Sequence, residues 1–369
     1  HAKDVDGAIL ERARSEGWSF GTALEHYIFP VEQRMDPDFV LTGTLLACAE
    51  MILSGTTCFC DMYLFEESVA RAASHAGMRA VVGEVLYDFP SPNYGPVEQG
   101  FAYTEGLIAR WRDDPLITIA VEPHSPYLCA PDLLCKAASL AARHDLPLVI
   151  HLSETRGEVA GIREKYGRTP VAHLADLGVL SANLLACHCT VLTPEDIALL
   201  SEFDVKVSHN PESNMKLASG IAPVPELIRA GVCVGLGTDG CASNNDLDLF
   251  LEMNTAAKLH KVNTLDPTVT DARTVLKMAT IEGARALGLG GVQGGAGVDV
   301  VARGQVVAAE PVDAAQQGQG EEGNIFVSAA ETTQAEGRLI AATESRSPNR
   351  RAVATPVSGS WSPSERTSS

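Results

Sequence analysis

The apolar positions of this chain fall in short unbroken runs rather than in alternation. Leu146-Pro-Leu-Val-Ile150 is the clearest, and similar runs lie at 55–61, 78–86, 116–124, 183–188, 205–209 and 232–239. Short apolar segments rich in β-branched residues read as strands buried on both faces. Between them lie helical patterns with their own punctuation. Gly77 closes a helix over 65–76, and Pro131 opens one that runs to about Arg143. Thr193-Pro-Glu-Asp196 is an N-cap for a helix to Phe203, and Gly231 closes one over 223–230. Further helices are predicted at 37–51, 101–112, 246–260 and 270–287.

Strand and helix alternate at roughly thirty-residue intervals, the pattern of βα units around a parallel sheet. Seven strands fall between 57 and 239. With one more, the expected fold is α/β, a (β/α)8 barrel incomplete at its first strand, with its site at the C-terminal strand ends. An open doubly wound sheet is the runner-up, but no glycine-rich phosphate loop supports it. The barrel is expected over 1–289. Gly290 to Gly297 is glycine-rich, and Val298-Asp-Val-Val-Ala-Arg-Gly-Gln-Val-Val307 reads as a hairpin. From 308 to 369 the chain is Ala, Gln, Glu, Ser, Thr, Pro and Gly with few large apolar residues, a low-complexity tail expected to be disordered.

Composition narrows the partners. The net charge of −19 argues against nucleic acid and anionic membrane. No apolar run is long enough to span a bilayer, no signal-peptide pattern opens the chain, and its first residue, His1, suggests a trimmed start. The nine cysteines sit mostly inside apolar segments, as in a reduced cytoplasmic protein that uses Cys as a small hydrophobe. Cys58-Phe-Cys60 and Cys187-His-Cys189 lack the two-residue gap of zinc knuckles.

The candidate chemistry sits at the strand ends. His124, His151, His188, His209, Asp239 and Asp61 each stand where a predicted strand gives way to a loop. Alone, His151 reads as a hydrogen-bonded strand-end histidine and Glu154 as a first-turn acid. The repetition of the same grammar along the chain points instead to one site at one barrel mouth. His and carboxylate ligands without thiolate suit zinc or iron. Glu154 is placed to shuttle protons, Asp239 to hold both metal and attacking water, and His188 to stabilise developing charge. His209, followed by Asn210-Pro211, reads as bracing a turn.

These residues carry a resemblance. Pro123-His-Ser-Pro-Tyr127, Ile150-His-Leu-Ser-Glu-Thr155, Ala186-Cys-His-Cys189, Ser208-His-Asn-Pro-Glu-Ser-Asn214 and Gly237-Thr-Asp-Gly-Cys-Ala-Ser-Asn-Asn245 resemble the amidohydrolase superfamily. Within it they are similar to the 5-methylthioadenosine/S-adenosylhomocysteine deaminases, over about 24–288. Gly55-Thr-Thr57, Asp61-Met-Tyr63 and Phe29-Pro-Val-Glu32 fit the same family. The resemblance implies His151 and Asp239 as metal ligands, Glu154, His188 and Asp239 as catalytic residues, and Glu32, His124, Glu154 and Ser243 as substrate contacts. Glu32 and His124 would face the ribose and its 5′ substituent. The implied reaction is hydrolytic deamination: a metal-activated water attacks C6 of adenine, Glu154 protonates the ring nitrogen and ammonia leaves. The implied partner is a small nucleoside, with homo-oligomerisation left open.

The chain departs from that pattern at its start. The family's first strand ends in His-x-His, and no His-x-His occurs here. His1-Ala2 reads as its stump, at slightly long spacing from Glu32. Of the flanking β-sandwich the family carries, only 290–307 stands as a remnant. Two alternatives follow: a deaminase or chlorohydrolase of another heterocycle, such as guanine or a triazine, and a catalytically dead truncated remnant.

Overall fold

The computed structural model describes residues 29–290. The expected first-strand position, the 298–307 hairpin and the 308–369 tail lie outside the described residues.

The chain enters through a short helix, α1 (Phe29–Glu32), and a long one, α2 (Pro37–Leu53). Asp36 starts α2: its carboxylate accepts the Phe39 amide at 2.8 Å, and Pro37 fills the first turn, where no amide is needed. Strands and helices then alternate. They run β1 (Cys58–Tyr63), α3 (Glu66–Ala76), β2 (Arg79–Leu86), α4 (Val97–Trp111), β3 (Ile117–Ile119), β4 (Glu122–Pro123) and α5 (Pro131–His144). Next come β5 (Leu148–Leu152), α6 (Arg156–Tyr166), α7 (Pro170–Asp176), β6 (Leu184–His188), α8 (Pro194–Glu202), β7 (Lys206–His209), α9 (Pro211–Lys216) and α10 (Val224–Arg229). The series closes with β8 (Val234–Leu236), α11 (Leu249–Thr264), α12 (Ala272–Met278) and α13 (Ile281–Ala286).

Every ladder is parallel, in the orders β1-β2-β3 with β4 beside β2, and β5-β6-β7-β8. A parallel bridge from Val121 to Leu148 joins the two sheets. β3 and β4 are thus two pieces of one strand position, so the described residues hold seven positions of the expected (β/α)8 barrel. Among the described residues neither β1 nor β8 pairs with anything on its outer side.

Three expected boundaries move. The strand through Asp61 continues to Tyr63, so Asp61 is a buried interior residue and not a strand end. The strand expected at 116–124 is interrupted between Ile119 and Glu122. The helix expected at 270–287 breaks near Thr280, whose hydroxyl turns back to the Leu276 carbonyl at 2.6 Å and competes with the helical bond there. All nine cysteines are thiols.

Gly83 on β2 makes room for a buried acid. A Cβ there would lie 2.4 Å from Cγ of Glu122 and 2.8 Å from the Ala120 carbonyl. Gly83→Ala is expected to lower stability by about 1–3 kcal/mol, the usual range for overpacking, in urea unfolding followed by circular dichroism. Gly161→Ala in α6, where an added Cβ meets nothing within 4 Å, is expected to raise it by about 0.5–1 kcal/mol.

Candidate active site

Three imidazoles stack at the C-terminal strand ends. The rings of His124 and His151 lie 4.7 Å apart and those of His151 and His188 5.4 Å apart, each pair inclined by 22°. His124 follows β4, His151 is the penultimate residue of β5, and His188 is the last of β6. The β5–β6 register opposes His151 to Cys187 and Leu152 to His188, so strand alternation alone would turn the last two rings to opposite faces. The left-handed backbone of His188, φ 74°, departs from the strand and lets its ring stack on that of His151.

Hydrogen bonds settle which atoms face the mouth. Nδ1 of His151 lies 3.0 Å from the His124 carbonyl. A carbonyl only accepts, so Nδ1 donates and Nε2 keeps a bare lone pair. Burial, and then the neighbouring His188, hold His151 below the usual imidazole range, in the neutral form that binds metal. Burial also holds His124 well below that range, reinforced by His151 and His188. The Asp239 carboxylate accepts from the Ser213 hydroxyl at 2.6 Å and from the Gly240 amide at 2.7 Å. Asp239 follows β8 and His151 stands near the end of β5, and every ladder from β5 to β8 is parallel, so the two expected ligands lie on the same, C-terminal side of the sheet.

Glu154 is held from two sides. Ser219 donates to its Oε1 at 2.9 Å, and Thr190 donates to its backbone carbonyl. Its Oε2 lies 3.9 Å from Nε2 of His188. Glu158, one turn into α6, accepts the amides of Ser153 at 2.9 Å and Glu154 at 2.7 Å. The backbone is strained here: Ser153, His188, Cys189 and Asp239 all have positive φ, between 51° and 74°. Left-handed non-glycine residues persist where surrounding contacts over-determine them, and they cluster at functional sites.

The other expected residues are more scattered. Glu32 is half-buried and accepts the Tyr63 hydroxyl at 2.9 Å, which puts it near the C-terminal end of β1. Burial raises its carboxyl above the ordinary value, against the Tyr63 bond. Ser243 lies in the loop after Asp239, its amide bonded to the Gly240 carbonyl at 2.9 Å. His209 is fully buried, with Nε2 3.0 Å from Nε2 of His260 on α11, so it is spent on a core contact. Ser213, Asn214, Ser219, Thr190 and Glu158 carry contacts that the strand-end pattern did not single out. Ser213 and Asn214 stood in the quoted Ser208–Asn214 motif without a role.

The donors fit a divalent metal in kind: a bare imidazole nitrogen on His151 and carboxylate oxygens on Asp239. Among the described residues no group of three or more His, Cys, Asp or Glu side chains is gathered closely enough to hold one.

Comparison with known proteins shows what the chain is similar to. The amidohydrolase family profile matches residues 10–302. The chain is 64% identical over 268 residues to the 5-methylthioadenosine/S-adenosylhomocysteine deaminase of Syntrophobacter fumaroxidans, covering 73% of this chain and 61% of that protein. It is 46% identical over 278 residues to the 5′-deoxyadenosine deaminase of Methanothermobacter thermautotrophicus, covering 72% and 62%. The crystal structure of an adenosine deaminase from Xanthomonas campestris with bound zinc superposes with a TM-score of 0.71 at 46% identity, over 72% of this chain and 61% of that one. The chain thus spans about three fifths of the length of the curated relatives it matches.

Burial raises the Glu158 carboxyl to about 7, against the pull of its backbone bonds. A carboxyl raised by folding stabilises the protonated native state at low pH, and loses that contribution as pH rises from the unfolded value through 7. The stability of the wild type relative to Glu158→Gln is therefore expected to fall by roughly 3 kcal/mol between pH 4.5 and 7. Urea titrations of both proteins across that range check it.

Proposed function

The chain belongs to the amidohydrolase family, and from that premise we propose that it is a metal-dependent aminohydrolase acting on adenine-type nucleosides with a 5′ thioether. The observation that carries this reading is the pairing of Glu154 with the stacked imidazoles. One carboxylate oxygen is pinned by Ser219 and the other faces Nε2 of His188 across 3.9 Å, a gap suited to an oxygen in transit. The names of the relatives support the substrate class.

His151, through Nε2, and Asp239 would hold the metal, which is zinc in this reading. When bound, such an ion acts as a Lewis acid and makes water nucleophilic near neutral pH. Asp239 takes a proton from the attacking water and is held for that by Ser213 and Gly240. Glu154 delivers a proton to the purine ring nitrogen, which lets C6 accept the oxygen. His188 steadies the charge that develops on that oxygen. Asp239 passes the proton it took to the amino group, Glu154 recovers the hydroxyl proton, the C6 carbonyl forms and ammonia leaves. Glu32 accepts hydrogen bonds from the ribose hydroxyls, and His124 with Tyr127, whose ring meets it edge-on at 5.8 Å, lies against the 5′ substituent. Ser243 takes a contact from the loop that carries Asp239. The nine thiols support a reducing, cytosolic setting. No helix among the described residues is long and apolar enough to cross a membrane.

Ammonia release is measured on zinc-loaded protein with 5′-methylthioadenosine, S-adenosylhomocysteine, guanine and a chlorotriazine side by side. The two adenine nucleosides are expected to react and the other two to stay inert. Glu154→Gln is expected to lower kcat by about 10²–10⁴-fold, the range for a lost proton shuttle. Turnover of guanine or triazine alone would move the assignment to another heterocycle. No turnover and no bound metal would leave a remnant without activity.

A further inference from the structure

Two neighbouring residues of α9 reach two different groups of the site. Ser213 holds Asp239, and Asn214 holds His188. Asn214 is buried, and its Nδ2 lies 2.9 Å from Nδ1 of His188. An amide nitrogen only donates, so Nδ1 of the imidazole accepts. A neutral imidazole that accepts at Nδ1 carries its proton on Nε2. That Nε2 faces Oε2 of Glu154 at 3.9 Å, beyond a direct hydrogen bond, and its N–H stays available to a third group between them. Among the described residues the buried Oδ1 of Asn214 has no partner. An acceptor left orphaned in the core, beside a donor that is used, marks a side chain kept for what its donor does.

We infer that Asn214 is a positioning residue, which locks His188 in the Nε2–H tautomer and makes it a hydrogen-bond donor rather than a base toward the reacting oxygen. The identity of that oxygen rests on the deaminase reading; the tautomer does not. The lock divides the labour at the mouth. Proton uptake falls to the carboxylates of Asp239 and Glu154, while His188 presents one fixed N–H. Asparagine suits this task better than aspartate, which would only accept and would draw the proton to Nδ1. The left-handed backbone of His188, φ 74°, aims the ring so that Nδ1 meets α9 and Nε2 meets the mouth.

The test is the nitrogen chemical shifts of histidine rings in the full chain, labelled with ¹⁵N, freed of metal by chelation and without substrate. The His188 signals are identified by their loss in His188→Gln. An unprotonated ring nitrogen resonates well downfield of a protonated one, so the two tautomers separate cleanly. The expected wild-type pattern is protonated Nε2 and bare Nδ1, and in Asn214→Asp the proton is expected at Nδ1. The His173 and His260 signals, far along the chain from Asn214, report whether the variant keeps its fold. A wild-type spectrum with the proton on Nδ1 overturns the inference, as does a folded Asn214→Asp with an unchanged pattern. Should the variant fail to fold, the wild-type spectrum alone decides. In the assay with 5′-methylthioadenosine, Asn214→Asp is expected to lose about a hundredfold in kcat, as for other single donors to developing charge, with KM kept. An unchanged kcat overturns the role in catalysis. A wild type with no turnover but the expected tautomer sinks the deaminase reading and leaves the lock standing.

Discussion

One backbone carbonyl governs the geometry of the mouth. The oxygen of His124 accepts both the main-chain amide of His151 at 2.9 Å and its ring Nδ1 at 3.0 Å. The first bond belongs to the seam where β4 meets β5 and where the two four-stranded sheets become one. The second turns the imidazole so that Nε2 is left bare. A single acceptor therefore supports the strand pairing and decides which ring nitrogen of His151 stays bare. Parallel pairing sets the ends of β4, β5 and β6 side by side, and the three imidazoles there stack at 4.7 and 5.4 Å.

Around that seam the structure concentrates strain and second contacts. Ser153, His188, Cys189 and Asp239 all adopt left-handed backbone, each at a cost of about 1–3 kcal/mol. What holds them is a shell of short bonds: Glu158 to the amides of Ser153 and Glu154, Ser213 and Gly240 to Asp239, Asn214 to His188. α9 is central to this shell although it is only six residues long. Its two consecutive polar residues bridge the ends of β6 and β8, which β7 separates. Glu252 does similar work further out from the mouth. It accepts Asn244 at 2.6 Å, and the same Asn244 amide donates to the Thr238 carbonyl beside Asp239.

Much of this was readable from apolar runs. Seven strand positions and the strand-end placement of His124, His151 and His188 follow from where β-branched segments stop, whereas β8 stops at Leu236 and leaves Asp239 in the loop beyond it. A strand end, however, gives the position of a Cα and not the aim of a side chain. His209 ends β7 as His188 ends β6, yet it turns into the core and meets His260, a residue 51 positions away that no local pattern could pair with it. Asp61 misled for the opposite reason: an acid after an apolar run looks like an exit, and here the strand carries it inside. Asn214 and Ser213 were hidden because a one-and-a-half-turn helix has no amphipathic period to read. The family resemblance covered the same residues and supplied expected roles. It did not supply the bonds that decide which nitrogen of each histidine is bare.

Matched over about three fifths of its relatives' length, the chain nonetheless holds His151 and Asp239 at one rim, and the account stands on their sharing a single cation. An anomalous difference map at the zinc edge, from crystals grown with zinc, tests that most directly. The account predicts one strong peak about 2.0–2.2 Å from Nε2 of His151 and from an Asp239 oxygen. Zinc bound only elsewhere, or a peak that touches neither residue, would contradict it.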